Sequence, residues 1–438
     1  MKFRRQTRSF SGEETAQDMF SCKAPFTSMR LGPGGIIQLC CHNHLDIAGR
    51  YPETGLKEAW QGSAMQALRQ EFARGRFARG CELCVSSSGV PGQNNGNIAF
   101  FDAYNADDHW PVMLDLKADD HCNLACIMCS GLSSHRIMKQ RSHNIYDNPR
   151  FTDELEEFMP RLQEMRFSGG EPFLSSLYFQ IWERLIRINP DCKISIQTNG
   201  TVLDERIKSL LERGEFHLNI SIDSFRPETY QSIRTGADFN RMMENLQWFR
   251  DYSSAHHRDL RITTCALQMN AEELPGMLEK WNLLGVKGWI SVAWFPPQLS
   301  LWTMAPEALD RLHPIFQGVE LPSGEDIYQS NARAWRSFLD SFEAIREMSR
   351  LHYNTSRSEG VTAVDFRHEL MLMLGGKSVA GERVERILGL IPSGLRMNLK
   401  SFRLMASRAS SMVLSDWLDG LPDERLHDIF NTFVIRKR

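Results

Sequence analysis

Six apolar, strand-like runs alternate with amphipathic helical stretches through the middle of the chain. Helical spacing is clear between the second and third runs, at Phe179, Ile181, Trp182, Leu185 and Ile186. Strands that alternate with helices form a parallel sheet whose outer face the helices cover. Six units predict an α/β fold, a partial (βα)6 TIM-like barrel with its chemistry at the C-terminal ends of the strands. The runs are VMLDL at 112–116, MRFS at 165–168, KISIQT at 193–198, LNISID at 218–223, LRITTCAL at 260–267 and WISVAW at 289–294.

The segments on either side of the barrel differ from it in pattern. Ser, Gly, Pro and Asn dominate SSSGVPGQNNGN at 86–97, which predicts a linker, and FPPQLS at 295–300 is a weaker break. After about residue 330 only helix-like stretches follow, including ARAWRSFLDSFEAIREMSRL and SDWLDGLPDERLHDIFNTF. The predicted division is a small cysteine-rich N-terminal domain at 1–95, the barrel at 105–325 and a helical C-terminal region at 326–438.

Charge and apolar content exclude several classes of protein. With 51 Lys and Arg against 54 Asp and Glu, electrostatics give no reason to expect nucleic acid or an anionic membrane as partner. No run approaches the roughly 20 apolar residues of a membrane helix, and MKFRRQTRSFSGEE lacks the apolar part of an export signal. Ten cysteines in so long a chain indicate metal binding in a reducing compartment rather than a disulfide scaffold. We therefore expect a cytoplasmic protein.

Three cysteines stand on one loop directly after the first strand, in DDHCNLACIMCSG. Cys122, Cys126 and Cys129 have the spacing CxxxCxxC. Thiolates suit iron–sulfur clusters or zinc, and three of them leave one iron of a four-iron cluster without a protein ligand. The alternative is a structural zinc site with His121 or a distant residue as fourth ligand. His121 adjoins Cys122, however, whereas zinc ligands normally have two to four residues between them.

A cysteine loop of this spacing after strand one of a six-unit barrel resembles the radical S-adenosylmethionine (SAM) superfamily. After the second strand stands SGGEPFL, in which Gly169, Gly170, Glu171 and Pro172 match the family's GGEP motif. The resemblance implies that a 4Fe–4S cluster on the three loop cysteines binds SAM, and that the backbone and carboxylate of GGEP bind its methionine amino group. An ordinary strand-to-helix turn is the alternative for the tetrapeptide.

The resemblance also implies roles for residues at later strand ends. Asn199 follows the third strand, and Ser221 and Asp223 end the fourth, near the SAM ribose or the substrate. Asp223 is the candidate catalytic residue, and a helix N-terminal turn is its alternative. Arg234 resembles the arginine whose guanidinium fork pairs with the SAM carboxylate; the alternative is an exposed helix arginine. Met128 replaces the family's usual aromatic residue, and its polarizable side chain can make a similar adenine contact.

A second set of cysteines occupies the N-terminal segment. Cys22, Cys40, Cys81 and Cys84 resemble the ligands of an auxiliary-cluster module of the twitch or SPASM type, with Cys41 possible in place of Cys40. The resemblance implies one auxiliary 4Fe–4S cluster, and a zinc ribbon is the alternative. In most relatives this module follows the barrel, whereas here it precedes it.

Two smaller predictions concern helices and the remaining cysteines. LKEAWQGSAMQALRQEF predicts one helix with Trp60, Ala64, Leu68 and Phe72 on one face. Cys192 and Cys265 lie within strand-like runs and are predicted to be core residues.

The resemblance implies a radical enzyme. Such an enzyme reductively cleaves SAM to a 5′-deoxyadenosyl radical, which abstracts hydrogen from the substrate. We expect an oxidoreductase or maturase that oxidatively modifies a peptide or protein side chain. The alternatives are dehydrogenation or rearrangement of a small metabolite, such as a sugar or amino acid, and a non-catalytic metal-binding protein. The expected partners are a peptide or small-molecule substrate and a reductant such as ferredoxin or flavodoxin.

Overall fold

The structure, a computed structural model, describes most of the chain. Within the described residues no helix is both long and apolar enough to cross a membrane. The described residues are 22–43, 47–78, 81, 84, 96–107, 109–138, 144–321, 323–324, 326–355, 359–373, 384, 386–391, 395–408 and 421–435.

Three short strands precede the barrel and extend its sheet. β1 (Ser28–Leu31) pairs antiparallel with β2 (Ile36–Gln38), which pairs antiparallel with β3 (Ile47–Arg50). β1 also runs parallel to the first barrel strand, β4 (Met113–Asp119). The predicted domain division remains a prediction, although strands of the first range join the sheet of the second. The helices of this segment are α1 (Ala24–Thr27), α2 (Leu56–Gln61), α3 (Ser63–Ala73) and α4 (Gly96–Asp102).

The predicted single helix over 56–72 is wrong, because Gly62 separates α2 from α3. Gly62 has an extended backbone, with φ −71° and ψ 166°. The interruption changes the helical register, so Trp60, Met65 and Phe72 are buried while Ala64 is exposed. Residues 86–95 of the predicted linker lie outside the described residues, and α4 already begins at Gly96.

Six parallel strands form the barrel, one for each predicted run. The strand order is β3-β2-β1-β4-β5-β6-β7-β8-β9, so β9 is an edge and the sheet does not close. This confirms the predicted partial (βα)6 barrel. After β4 the strands are β5 (Glu164–Gly169), β6 (Lys193–Thr198), β7 (Phe216–Ser221), β8 (Leu260–Ala266) and β9 (Lys287–Val292).

Helices cover the outer face of the parallel strands. Their apolar residues share one buried core with the outward residues of the strands, such as Ile194, Leu218 and Ile262. The helices are α5 (His135–Met138), α6 (Pro149–Glu156), α7 (Ser176–Ile188), α8 (Glu205–Leu211), α9 (Pro227–Ile233), α10 (Phe239–Ala255) and α11 (Leu274–Leu284). Short 3-10 helices lie at Pro33–Gly35, Met159–Arg161, Pro172–Leu174, Gln268–Glu273, Pro297–Leu299 and Leu301–Thr303.

The inner face of the strands is polar instead of apolar. Along β6, Ile194 and Ile196 are buried against the helices, whereas Ser195 and Gln197 face the lumen. Parallel α/β barrels usually fill this space with bulky branched side chains. Here polar residues border a cavity of about 520 Å³. The barrel therefore encloses a polar lumen.

The C-terminal region is mainly helical, as predicted. Its helices are α12 (Pro306–Gln317), α13 (Asp326–Asn354), α14 (Ala363–Met373), α15 (Leu399–Arg408) and α16 (Asp423–Thr432). The expectation of no strands is wrong in one detail, because β10 (Arg396–Met397) pairs antiparallel with β11 (Val434–Ile435). Two-residue strands are too short to produce a recognisable sequence pattern.

Candidate functional site

The cysteine loop lies at the C-terminal edge of the parallel strands, directly after β4. Cys122 and Cys126 are buried and Cys129 is half-buried. Backbone hydrogen bonds attach the loop to the end of α9: Ala125 N donates to Thr235 O at 2.9 Å, and Ile127 N donates to Ile233 O at 3.0 Å. The loop with the three cysteines therefore lies beside the segment that carries Arg234.

The two glycines of the GGEP motif allow β5 to contact the start of this loop. A Cβ atom on Gly169 would lie 2.3 Å from Asp119 O, and one on Gly170 would lie 2.2 Å from His121 O. Gly169 also has φ +127°, a conformation that favours glycine. Gly170 N donates to Asp119 O at 2.8 Å, and Glu171 N donates to His121 O at 2.7 Å. The motif thus aligns the end of β5 with the cysteine loop.

The carboxylate of Glu171 is buried where β5 and β6 end. It accepts hydrogen bonds from Thr198 Oγ1 at 2.7 Å, from Asn199 N at 2.7 Å and from Phe173 N at 3.2 Å. Burial raises the pKa of Glu171 to about 7, although these hydrogen bonds act in the opposite direction. Asn199 Nδ2 in turn donates to Asn123 Oδ1 at 2.9 Å, which links this network to the cysteine loop.

Asp223 and Arg234 form a buried ion pair beside the loop. Arg234 Nε lies 2.9 Å from Asp223 Oδ2, and Asp223 Oδ1 accepts a hydrogen bond from Cys265 N at 2.7 Å. Burial raises the pKa of Asp223, and the Arg234 guanidinium opposes this shift. The interpretation of Arg234 as an exposed helix residue is wrong. A catalytic role for Asp223 stays a prediction. In the structure its carboxylate is engaged in the ion pair with Arg234.

Three further residues near the loop complete the arrangement. Met128 packs between two small apolar clusters, one of which contains Leu124. Ser221 lies at the end of β7 on the inner face, where Gln197 Nε2 donates to its hydroxyl at 2.6 Å. The buried Tyr230 hydroxyl finds no hydrogen-bond partner among the described residues, although Arg234 and Asp223 are near it. Sequence reasoning missed Tyr230, which helix spacing alone marks as a core residue.

The three loop thiols have the chemistry for binding iron. In the structure they do not lie close enough together to share one metal ion. Burial raises the pKa of Cys122 to about 11 and that of Cys126 to about 12, and it also raises the pKa of Cys129. Metal binding to such thiols must displace their protons. Among the described residues, no three Cys, His, Asp or Glu side chains form a group able to hold a metal ion.

Four of the N-terminal cysteines border a second, small cavity. Asn43 contacts two of them, because its backbone N lies 3.4 Å from Cys40 Sγ and its Nδ2 lies 3.5 Å from Cys81 Sγ. Cys41 does not border this cavity and lines the lumen instead, which favours Cys40 as the ligand. The cysteines bordering the cavity are Cys22, Cys40, Cys81 and Cys84, with apolar neighbours that include Leu39, Phe72, Phe77, Ile98 and Phe101.

The two cysteine sets lie at opposite ends of the barrel. β2 runs antiparallel to β1, with Gln38 opposite Arg30. Because β1 is parallel to the barrel strands, the chain after β2 leads toward the N-terminal ends of those strands, and Cys40 follows there. Two pairs of adjacent residues separate the small cavity from the lumen. Cys40 and Phe101 border the cavity, whereas their neighbours Cys41 and Phe100 border the lumen. The wall between these two spaces is one residue thick.

The two cysteines predicted to be core residues have different surroundings. Cys192 is buried, as predicted. Cys265 is half-buried, on the inner side of β8, and its backbone N donates to Asp223. Its side chain packs against a small apolar cluster that contains Ile233 and Leu267, so the predicted core position is confirmed only in part.

A side chain of the C-terminal region contacts the cysteine loop. Arg425 of α16 donates from Nη1 to Ile127 O and to Cys129 O, both at 3.3 Å. These carbonyls lie on either side of Met128. A region whose role the sequence does not reveal therefore supports the loop directly.

Comparison with known proteins identifies the barrel segment. Residues 120–279 match the family described as the Radical SAM superfamily. A GTP 3′,8-cyclase of Limosilactobacillus fermentum is 29% identical over 171 residues, which cover 36% of this chain and 47% of the relative. A probable GTP 3′,8-cyclase of Methanocaldococcus jannaschii is 26% identical over 168 residues, covering 38% and 53%. The chain spans about half the length of these curated relatives.

SuiB of Streptococcus suis, bound to S-adenosylmethionine, has a TM-score of 0.36 and 13% identity, and the match covers 58% of this chain and 52% of SuiB. The family match agrees with the resemblance seen in the cysteine loop, over residues 120–279. The twitch or SPASM assignment is not tested by it, since the match begins at residue 120.

Proposed function

We propose that this protein, whose barrel segment belongs to the radical SAM superfamily, is an enzyme that removes a hydrogen atom from a substrate C–H bond in the polar lumen. The observation that supports the proposal most is the position of the cysteine loop above this lumen. The 520 Å³ cavity lies within the usual range of small-molecule sites, roughly 300–1,000 Å³. A polar cavity next to a cofactor site is suited to holding a substrate in a fixed orientation.

Cys122, Cys126 and Cys129 would hold a 4Fe–4S cluster, and SAM would bind its open iron. Three soft sulfur ligands on one loop fit this cluster, and the unpartnered Tyr230 hydroxyl leaves a polar group free for a ligand. When bound and reduced, the cluster supplies the electron that cleaves SAM and so generates a radical able to take hydrogen from the substrate. The protein must keep water and other hydrogen donors away from this reaction.

The chain's own residues position the cofactor. We assign Glu171, together with Gly169 and Gly170, to the amino group of SAM, and Arg234 to its carboxylate. Asp223 orients the guanidinium of Arg234, so it acts as a positioning residue in this proposal. The remaining donors of the planar guanidinium fork can then bind a carboxylate from a fixed direction.

The N-terminal cysteines would hold an auxiliary cluster at the other end of the lumen. Cys22, Cys40, Cys81 and Cys84 border one small apolar cavity, and a wall one residue thick separates it from the lumen. These four cysteines would hold a cluster able to take one electron from the substrate once a hydrogen atom has been removed, with the accompanying proton released to solvent. The net reaction we propose is therefore an oxidation, with the electron passed on to a redox partner.

The substrate we favour is a small polar metabolite. The lumen carries many charged groups, which suits a small charged molecule, and the relatives named GTP 3′,8-cyclase match over the barrel. Modification of a peptide or protein side chain is the second candidate. The open edge at β9 favours it, because an extended chain can enter a barrel that does not close.

The test is release of 5′-deoxyadenosine and methionine by the anaerobically reconstituted, reduced protein given SAM. We expect wild type to produce both, and Cys126→Ala to produce neither. Cys192→Ala is the matched control, since this buried cysteine belongs neither to the cluster of the cysteine loop nor to the lining of the small cavity. Absence of both products from a wild-type sample that contains its full iron and sulfide would refute the proposal and favour a non-catalytic metal-binding role.

A further inference from the structure

The charged side chains of the lumen do not balance one another. Among the described residues that line it there are five cations and three carboxylates, a surplus of two positive charges with histidine neutral. A recess lined by an excess of one charge attracts ligands of the opposite charge, and low-dielectric walls strengthen this attraction. The cations are Arg30, Arg166, Lys193, Arg261 and Lys287, and the carboxylates are Asp115, Glu164 and Asp259.

Most of these groups pair with one another. Arg30 lies 3.7 Å from Asp115. Asp259 contacts Lys287 at 2.7 Å and Lys193 at 3.7 Å, and its pKa is lowered by hydrogen bonding to His217 and by these lysines. The base of the lumen is thus a network in which two lysines share one carboxylate. A ligand would find little free charge there.

Two arginines remain available to a ligand. Arg261, on the inner side of β8, makes no ion pair with a described residue, and its side chain is exposed to the lumen. Arg166, on β5, lies 4.9 Å over the ring of Phe100 and 3.8 Å from Glu164, and the charge of Asp115 also acts on it without a direct ion pair. Glu164 is itself held by the hydroxyl of Tyr104. The guanidinium groups of Arg166 and Arg261 border the same cavity.

We infer that Arg166 and Arg261 bind a phosphate group of the substrate, which would make the substrate a phosphorylated small metabolite. A phosphate monoester carries about −1.5 to −2 charges at pH 7, which matches the surplus of the lumen. Its terminal oxygens accept hydrogen bonds from two guanidinium forks, whereas a carboxylate offers two oxygens and one charge. This inference rests on the proposed function, because it takes the lumen to be the substrate site.

The test is a calorimetric titration of the reconstituted protein, once with ribose 5-phosphate and once with ribose. We expect ribose 5-phosphate to bind saturably and ribose to bind much more weakly. Arg261→Gln and Arg166→Gln should each weaken binding of the phosphate by about tenfold or more, since each removes a charge-assisted hydrogen-bond donor. Arg241→Gln is the matched control. It removes the same charge from the exposed surface of α10, and we expect no change.

A gain-of-binding variant provides a test that loss of folding cannot imitate. Asp115→Asn removes a lumen carboxylate and frees Arg30, so ribose 5-phosphate should bind more tightly. The inference is overturned if neither Arg166→Gln nor Arg261→Gln weakens binding, or if ribose binds as tightly as ribose 5-phosphate. N-acetylglutamate serves as a ligand with carboxylates and no phosphate. The inference is also overturned if this ligand binds more tightly than ribose 5-phosphate and its binding depends on the same two arginines. SAM cleavage measured on the same samples separates the two proposals. If cleavage persists while phosphate binding fails, only the inference about the phosphate is wrong.

Discussion

Gly170→Ala should disturb the contact between the GGEP motif and the cysteine loop. The new Cβ would lie 2.2 Å from His121 O and 2.6 Å from His121 C, far inside normal contact. Both atoms belong to the backbone, so no side-chain rotation relieves the clash. The shift must break the 2.7 Å hydrogen bond from Glu171 N to His121 O. Overpacking costs about 1–3 kcal/mol and an unsatisfied buried donor about 1–3 kcal/mol, so we expect a loss of about 2–6 kcal/mol in the free energy of unfolding.

The assay is denaturant unfolding of the metal-free protein, together with iron and sulfide content after reconstitution. We expect Gly170→Ala to lose stability and to retain less iron, because His121 adjoins the first cysteine of the loop. Gly276→Ala is the matched control. Nothing lies within 4 Å of a Cβ at this helical glycine, so the change should be neutral or stabilise by up to about 1 kcal/mol. If Gly170→Ala matches wild type in both stability and iron content, the reasoning about the GGEP motif is refuted.

Three further predictions concern contacts around the barrel. Asp223→Asn leaves the Arg234 guanidinium buried without its counter-charge, so denaturant unfolding should show a loss of about 3–5 kcal/mol; unchanged stability would mean that the ion pair does not form. Arg425→Gln removes two hydrogen bonds to the cysteine loop, so the reconstituted cluster should lose iron faster in air; equal rates would contradict a supporting role for α16. Burial lowers the pKa of His352 to about 4. As the pH drops, His352 is protonated in the unfolded state before it is protonated in the folded state. The free energy of unfolding should therefore fall between about pH 6.5 and pH 4. Thermal unfolding of His352→Phe should lack this dependence, and an identical pH profile would contradict it.

The barrel was predictable from sequence because each strand carries its own local pattern. The apolar runs and the helical spacing between them are short-range signals, and the cysteine loop and GGEP motif follow strands whose C-terminal ends meet at one edge. The polar lumen also has a signal in the sequence, namely polar residues that alternate with the apolar residues of the strands. In KISIQT every second residue is polar, and Arg261 and Thr263 alternate in the same way at the start of LRITTCAL, which predicts strands with one face away from the core.

Other features depend on contacts between residues far apart in sequence. The pairing of Asp223 with Arg234 and the contact of Arg425 with Cys129 O join separate elements, so no local pattern predicts them. The choice between Cys40 and Cys41 depends on which side of the chain faces the small cavity. The break in the predicted helix at Gly62 had a visible signal, since glycine weakens helices, but the spacing of Trp60 and Phe72 outweighed it.

The position of the cluster can be tested most directly by electron paramagnetic resonance of the reduced, reconstituted protein with and without SAM. A variant in which Cys22, Cys40, Cys81 and Cys84 are replaced by alanine isolates the barrel site. We predict that it retains a four-iron cluster whose spectrum changes when SAM is added. The variant that instead lacks the three loop cysteines should show no SAM-dependent change. A SAM-dependent signal in the variant without Cys122, Cys126 and Cys129 would contradict the assignment of SAM binding to this loop.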